Sequence, residues 1–312
     1  MIKIGIVGAN EISKKHIEKI SEMKDFQLVG FYDHDEESAK IIENNFGVNR
    51  FLNYNDLLTH ADAIDVLSPV GSHYNYVSGA IRKIRHVFVD KVLSENLDEA
   101  KELNSLAEEA NIQLYVSRYE KFHPNYQWLK KLADNPFYIE SAKFDPNIIN
   151  LSPEDLVFEL LLNELDLVLS IVKARVMRVR ATGACLHSNT IDFINVRIEF
   201  DNGCIYNIVG GSFKSDQKNK IRFFQKNKTY NLDLNNFKIT FLNNSAEDKE
   251  PVAKEELLKA SGKNPTEMIK RELEHFAGSI LNHTLNLRTH HDNFQLLELA
   301  HEIIDKLKIN KR

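Results

Sequence analysis

The sequence predicts an α/β domain with a mainly parallel sheet, followed by an α+β domain with a largely antiparallel open sheet. Three observations carry this. Up to residue 118 apolar strand-like runs alternate with helix-periodic segments, and from 176 to 234 strand-like runs succeed one another with no helices between them. The length of 312 residues suits two domains at roughly 150 residues each, here 1–118 and 119–312, with the terminal helices free to pack back on the first.

The elements follow in order. Residues 2–7 form an apolar run that ends at Gly8, and Ile12, His16, Ile17, Ile20 and Met23 then recur at helical spacing. A second apolar run, 26–32, ends in Asp33, and the pattern repeats with helices at 36–45 and 74–84 and strands at 63–67 and 86–89. Asn96 and Glu99 sit as N-cap and N3 of a helix over 97–110, and a strand at 112–116 follows. Next come a helix at 124–132, a strand at 137–144 and a long apolar helix at 156–172. Strand-like runs occupy 176–182, 193–200, 204–209, 220–224 and 229–234, with Asp201-Asn202-Gly203 as a turn. A polar stretch at 243–263 precedes two closing helices, 266–282 and 293–307.

Composition narrows the function classes. Lys and Arg number 40 against 45 Asp and Glu, a net charge of -5 with no long block of either sign, which argues against nucleic-acid or anionic-membrane partners. Twelve glycines and seven prolines are about half the usual share, so fibrous and disordered readings fall away. Cys185 and Cys204 form no C-x-x-C pair, and the first strand begins directly after Met1, so a cytoplasmic location is expected. The 156–172 segment carries Glu159, Asn163, Glu164 and Asp166, too polar for a membrane span.

Gly8-Ala9-Asn10-Glu11-Ile12-Ser13 occupies the place of a G-x-G-x-x-G dinucleotide loop with two glycines replaced. Asn tolerates a left-handed backbone better than most residues, Ser13 is small enough for close strand–helix packing, and the helix N-terminus can face a pyrophosphate. Asp33, 25 residues after Gly8, is placed to accept from an adenosine ribose, which favours NAD over NADP, although NADP is also admissible. A plain βαβ turn with a loop carboxylate is the alternative. Ser68, Pro69 and His73 close the third strand at the edge where a nicotinamide could lie; alternatively Ser72 is an N-cap and His73 a solvated first-turn residue. Asp90 and Lys91 close the fourth strand, where a lysine held over a pocket can exchange protons. Glu159, Asn163 and Asp166, at i, i+4 and i+7, form a polar stripe that either satisfies itself or faces a cavity. His290-His291-Asp292 reads as a helix start rather than a metal site.

Taken together, the Gly8 loop with His16, the Tyr32-Asp33 strand end, Pro69 to His73, Asp90-Lys91-Val92, Arg118 to Pro124, the 159–166 stripe and the closing helix from His291 to Ile304 resemble the glucose-fructose oxidoreductase / inositol dehydrogenase (Gfo/Idh/MocA) family over almost the whole chain. The resemblance implies a Rossmann domain, a C-terminal open sheet used in oligomerisation, and NAD(P)-dependent oxidation or reduction of a sugar, polyol or sugar-nucleotide carbon. It implies a cofactor site at Gly8, Asn10, Glu11, Ile12, Asp33, Ser68, Pro69, His73, Asp90 and Lys91, a catalytic set of Lys91, Glu159 and Asn163, and substrate contacts at Arg118 and Asp166. The family's catalytic histidine falls on Asn163, its partner aspartate on Glu159, and its Glu-Lys-Pro on Asp90-Lys91-Val92. An amide takes no proton at neutral pH, so Asn163 can orient a hydroxyl but cannot be the base. Two readings follow. In the first the chain is an oxidoreductase acting on a small carbohydrate-like substrate, with no metal, assembled as a homodimer or homotetramer. In the second it is a non-catalytic relative, a sensor or subunit that binds a dinucleotide or sugar nucleotide.

Overall fold

A computed structural model describes residues 1–133, 135–146, 148, 152–187, 189–215, 219–235, 238–243, 253–254, 265–284 and 287–310. The polar stretch at 243–263 falls almost wholly outside these residues, as do the side chains of His290, His291 and Asp292. The chain divides into two compact units, residues 1–122 with 264–297, and residues 123–263 with 298–312.

The first unit is built on strands β1 (Ile2–Val7), β2 (Phe26–Tyr32), β3 (Ala63–Val66), β4 (His86–Val89) and β5 (Leu114–Val116). They pair in the order β2-β1-β3-β4-β5, all parallel. The β1, β3, β4 and β5 cores are almost wholly buried, as strands covered on both faces must be. Helices α1 (Glu11–Glu22), α2 (Glu36–Phe46), α4 (His73–Arg82) and α5 (Leu97–Glu109) match the predicted periodicity, and a short helix α3 (Tyr54–His60), capped by Asn53, adds to them. Helix α9 (Pro265–Leu281) joins this unit from the far end of the sequence. Its Ile269, Leu273, Phe276 and Ala277 enter the same core as Ile2, Ile4, Ile17 and Ile20, and Phe276 stacks on Phe26. Chain order reverses at β1, between β2 and β3, which is where open parallel sheets bind ligands.

The second unit carries a nine-stranded sheet. Its strands are β6 (Tyr138–Phe144), β7 (Val176–Ala184), β8 (Phe193–Phe200), β9 (Ile205–Gly211), β10 (Lys220–Gln225), β11 (Lys228–Asp233), β12 (Lys238–Asn243), β13 (Ala253–Lys254) and β14 (Leu307–Asn310), in the order β13-β12-β11-β10-β6-β9-β8-β7-β14. Neighbours run antiparallel except β6 with β9 and β14 with β7. Strand β14 begins at Leu307, where the predicted helix ends, and was not read from the sequence, because its register on β7 is set by a partner far away in sequence. Alternate residues of β8 and β9 are buried, and the 156–161 stretch packs on β9 and β6. A Cβ at Gly210 would come within 2.8 Å of Leu160 and 2.9 Å of Leu161, so glycine there lets helix and sheet approach closely. The open face is polar. A cavity of about 710 Å3 on it is lined by residues including Glu140, Asn195, Asn207 and Asn231, and Arg222 pairs with Glu140 at 2.6 Å.

The predicted helix over 156–172 is the largest local difference. A short helix α7 (Pro153–Asp155) leads into a π-helical stretch (Leu156–Leu161), and only then does α8 (Leu162–Ile171) begin. The wider π turn carries Glu159 off the line that α-helical spacing predicts.

Candidate functional site

Because the five strands of the first unit are parallel, their carboxyl ends share one edge, and Gly8, Asp33, Ser68, Asp90-Lys91 and Arg118 follow them there. Each belongs to the loop that immediately follows a strand.

At the first loop the left-handed residue is Gly8, with φ +112°, and a Cβ there would lie 2.9 Å from the Leu67 carbonyl and the Ser68 nitrogen. Only glycine fits. Asn10 is not left-handed as expected but extended, with φ -122°, and it caps α1. Its Oδ1 accepts from the amides of Ile12 and Ser13, each at 3.0 Å, while its Nδ2 donates to the Leu67 carbonyl at 2.6 Å. Ser13 is fully buried and completes a capping box, so its small size serves packing as expected. The Asn10 carboxamide therefore already occupies the helix-terminal amides that a pyrophosphate would use. Glu11 is turned outward, 83% exposed, and pairs with Lys14; Ile12 is half-buried.

Asp33 Oδ2 accepts from the Ala9 amide at 2.6 Å and Oδ1 from the Asp35 amide at 2.8 Å, so one carboxylate ties the glycine loop to the start of α2. Two acceptor positions remain on it for ribose hydroxyls. Tyr32, Tyr54 and Tyr76 cluster beside it, with ring centroids 5.0 to 6.1 Å apart. The forced glycine, the adjoining carboxylate and the helix N-terminus fit a nicotinamide dinucleotide, provided that the Asn10 side chain yields.

His73 is neither solvated nor free. It is buried, with Nδ1 2.7 Å from the Val92 carbonyl and Nε2 2.7 Å from the Ser68 carbonyl, so the ring straps two loops together. Burial pushes its pKa down, against the pull of the two carbonyls. Ser72 makes no cap bond; its hydroxyl donates to Ser68 Oγ and the Pro69 carbonyl. Pro69 is exposed and Ser68 half-buried.

Lys91 has φ +58°, a left-handed conformation that costs a non-glycine residue roughly 1–2 kcal/mol. Such strain persists only where neighbours hold it. The Val92 amide donates to the Asp90 carbonyl at 2.7 Å, and the Asp90 amide to the Val66 carbonyl at 3.0 Å. Arg118, expected from the resemblance to contact substrate, is buried, and its Nη1 donates to the carbonyls of Lys91 and Ser117. The sequence offered no sign of the group beneath it: Glu272 of α9, wholly buried, accepts from the Ser117 hydroxyl at 2.7 Å and from the Arg118 amide. Within the same unit His16 Nδ1 lies 2.7 Å from Asp65 Oδ2, both buried. Burial alone would lower the His16 pKa, but the Asp65 carboxylate outweighs it and raises it.

In the second unit the polar stripe is graded. Glu159 is exposed, Asn163 half-buried and Asp166 buried. The deepest carboxylate of that segment is Glu164, 2% exposed and 3.1 Å from Lys143. Among the described residues no group of His, Cys, Asp and Glu is arranged to hold a metal, and no helix is long and apolar enough to cross a membrane.

Comparison with known proteins agrees with this geometry. Residues 2–118 match the model of an oxidoreductase family with an NAD-binding Rossmann fold. The chain is 24% identical over 240 residues to the UDP-N-acetylglucosamine 3-dehydrogenase of Acidithiobacillus ferrooxidans, covering 75% of each, and 30% identical over 135 residues to the glucose-6-phosphate 3-dehydrogenase of Bacillus subtilis, covering 43% of this chain and 39% of that one. The solved structure of the former superposes with a TM-score of 0.87 at 20% identity, over 98% of this chain and 97% of the other. A 3-ketoreductase from Actinomadura kijaniata, in complex with NADP and TDP-benzene, superposes with a TM-score of 0.83 at 14% identity over 99% and 98%. With its glycine loop and its ordered strand-end residues, the chain is similar to the Gfo/Idh/MocA oxidoreductases, by family model over residues 2–118 and in fold over almost its whole length.

Proposed function

We propose that the chain is an NAD(P)-dependent oxidoreductase acting on a hydroxyl or keto carbon of a sugar, polyol or sugar nucleotide. The observation that carries this is the convergence of Gly8, Asp33 and the Asp90-Lys91 turn on one edge of a parallel sheet. When bound, the nicotinamide supplies hydride transfer. Gly8, Asn10, Glu11, Ile12, Asp33, Ser68, Pro69, His73, Asp90 and Lys91 make up its site. Lys91 exchanges the substrate proton, Asn163 orients the oxygen, Glu159 tunes or relays, and Asp166 binds substrate. Arg118 acts through the backbone of Lys91, given its hydrogen bond to that carbonyl. The relatives' names, a sugar-nucleotide dehydrogenase and a sugar-phosphate dehydrogenase, support the substrate class.

Asn163 favours a second reading, a dinucleotide- or sugar-nucleotide-binding relative without turnover, because an amide replaces the expected base. One experiment separates the two. Pure protein is incubated with NADH and a panel of keto-sugars and sugar nucleotides, and the nicotinamide absorbance is followed. The oxidoreductase reading expects turnover that Lys91→Ala lowers by on the order of 10²- to 10⁴-fold with cofactor affinity little changed, and that Asn163→His raises on a polyol, with a pH dependence near the imidazole value of about 6.5. Equal dinucleotide binding by all three proteins with no turnover by any of them would install the binding-protein reading.

A further inference from the structure

We propose that Glu272, on helix α9 and far in sequence from every motif of the cofactor domain, is the positioning residue that aims Lys91, acting through Arg118. This rests on the reading of Lys91 as the proton-transfer group.

Glu272 is wholly buried, and its two oxygens take the Ser117 hydroxyl and the Arg118 amide at the carboxyl end of β5. That anchors the residue whose guanidinium, itself buried, reaches the adjoining loop and donates to the Lys91 carbonyl. Lys91 is left-handed without being glycine, so its backbone needs an external hold, and Arg118 supplies one at the Lys91 carbonyl in addition to the Val92-to-Asp90 bond. The backbone of Lys91 sets where its ammonium is directed. A small rotation there moves the amine by about an ångström, enough to cost catalysis heavily.

Burial pushes the Glu272 carboxyl up to about 8, against the Arg118 amide and the Ser117 hydroxyl; Glu120 adds to the rise and His16 opposes it. Tyr115 and Tyr119, which also face Glu272, have their phenols pushed upward and stay neutral across this range. Above that value both Glu272 oxygens are free to accept. Below it one carries a proton, and one of the two anchoring bonds weakens. The grip on the Lys91 turn therefore tightens as pH rises through the Glu272 midpoint.

The test does not depend on turnover. The full chain is reductively methylated with carbon-13 formaldehyde, and the Lys91 resonance is identified by its absence from Lys91→Arg. It is then followed from about pH 6 to about pH 10, spanning the Glu272 and lysine ranges. We expect the wild-type resonance to show an inflection near the Glu272 midpoint, separate from the titration of the amine itself. The inflection disappears in the near-isosteric Glu272→Gln, in which kcat falls about 10-fold with KM within about twofold. If Glu272→Gln fails to fold, Arg118→Met carries the test, since it removes the donor to the Lys91 carbonyl. An unchanged Lys91 pH course in the folded variant overturns the proposal. The inflection without turnover of any substrate leaves the positioning intact and refutes the oxidoreductase reading instead.

Discussion

Replacing Asn10 with glycine should tighten dinucleotide binding while destabilising the free protein, and the structure sets both magnitudes. Asn10 Oδ1 accepts from the Ile12 and Ser13 amides at 3.0 Å, and Nδ2 donates to the Leu67 carbonyl at 2.6 Å. Asn→Gly at an N-cap costs only a few tenths of a kcal/mol, and losing the bond to Leu67 adds about 0.5–1.5 kcal/mol. Together this is about 1–2 kcal/mol. A pyrophosphate that takes the same helix-terminal amides must displace the carboxamide in the wild type but not in Asn10→Gly. The same 1–2 kcal/mol then reappears as a gain of roughly 5- to 30-fold in affinity. Calorimetric titration with NADH, ADP-ribose and adenosine reads it directly: the first two should gain, and adenosine, which lacks the pyrophosphate, should not. Repeating the titration with NADPH should give weaker binding than NADH in both proteins, because the Asp33 carboxylate would repel a 2′-phosphate. Equal or weaker NADH binding by Asn10→Gly, or an equal gain for adenosine, would refute the idea that Asn10 competes with the cofactor.

Two further outcomes are expected. Asp65→Asn should cost roughly 3–5 kcal/mol of stability, because it strips a buried histidine of its partner. In the wild type the raised His16 pKa contributes stability that is present below about 6.5 and is lost as pH climbs through the folded-state value; in Asp65→Asn burial should outweigh the remaining pull of Asp90 and Glu272, lowering His16 and reversing the sign. Urea unfolding on either side of the histidine range should give opposite slopes, and parallel slopes would reject the assignment. We also propose a homodimer or homotetramer joined through the nine-stranded sheet; light scattering that reports a 36.0 kDa particle at micromolar concentration would exclude it.

Local patterning in the sequence was enough to read the parallel strands of the first unit, their order along the chain and the residues that end them. Period-two and period-3.6 patterns are local, and so is the left-handed backbone at Gly8 that ends β1. Asp33, Lys91 and Asn163 were legible for the same reason, each at a fixed offset from a strong local signal. What those residues touch was decided only in three dimensions. Asn10 could be read as a tolerant turn residue, but the nearness of Leu67, 57 positions away, makes it a cap. His73 could be read as solvated, yet two loops close over it. Helical spacing aligned Glu159 with Asn163 and Asp166, yet packing grades them from exposed Glu159 to buried Asp166 along a segment that begins as a π turn. Arg118 carried a motif that pointed to substrate, but Glu272, 154 residues distant, fixes it beneath Lys91. Hydrogen-bond partners far apart in sequence leave no period in it, because burial and pairing are properties of where the chain returns, and only the packed fold decides that.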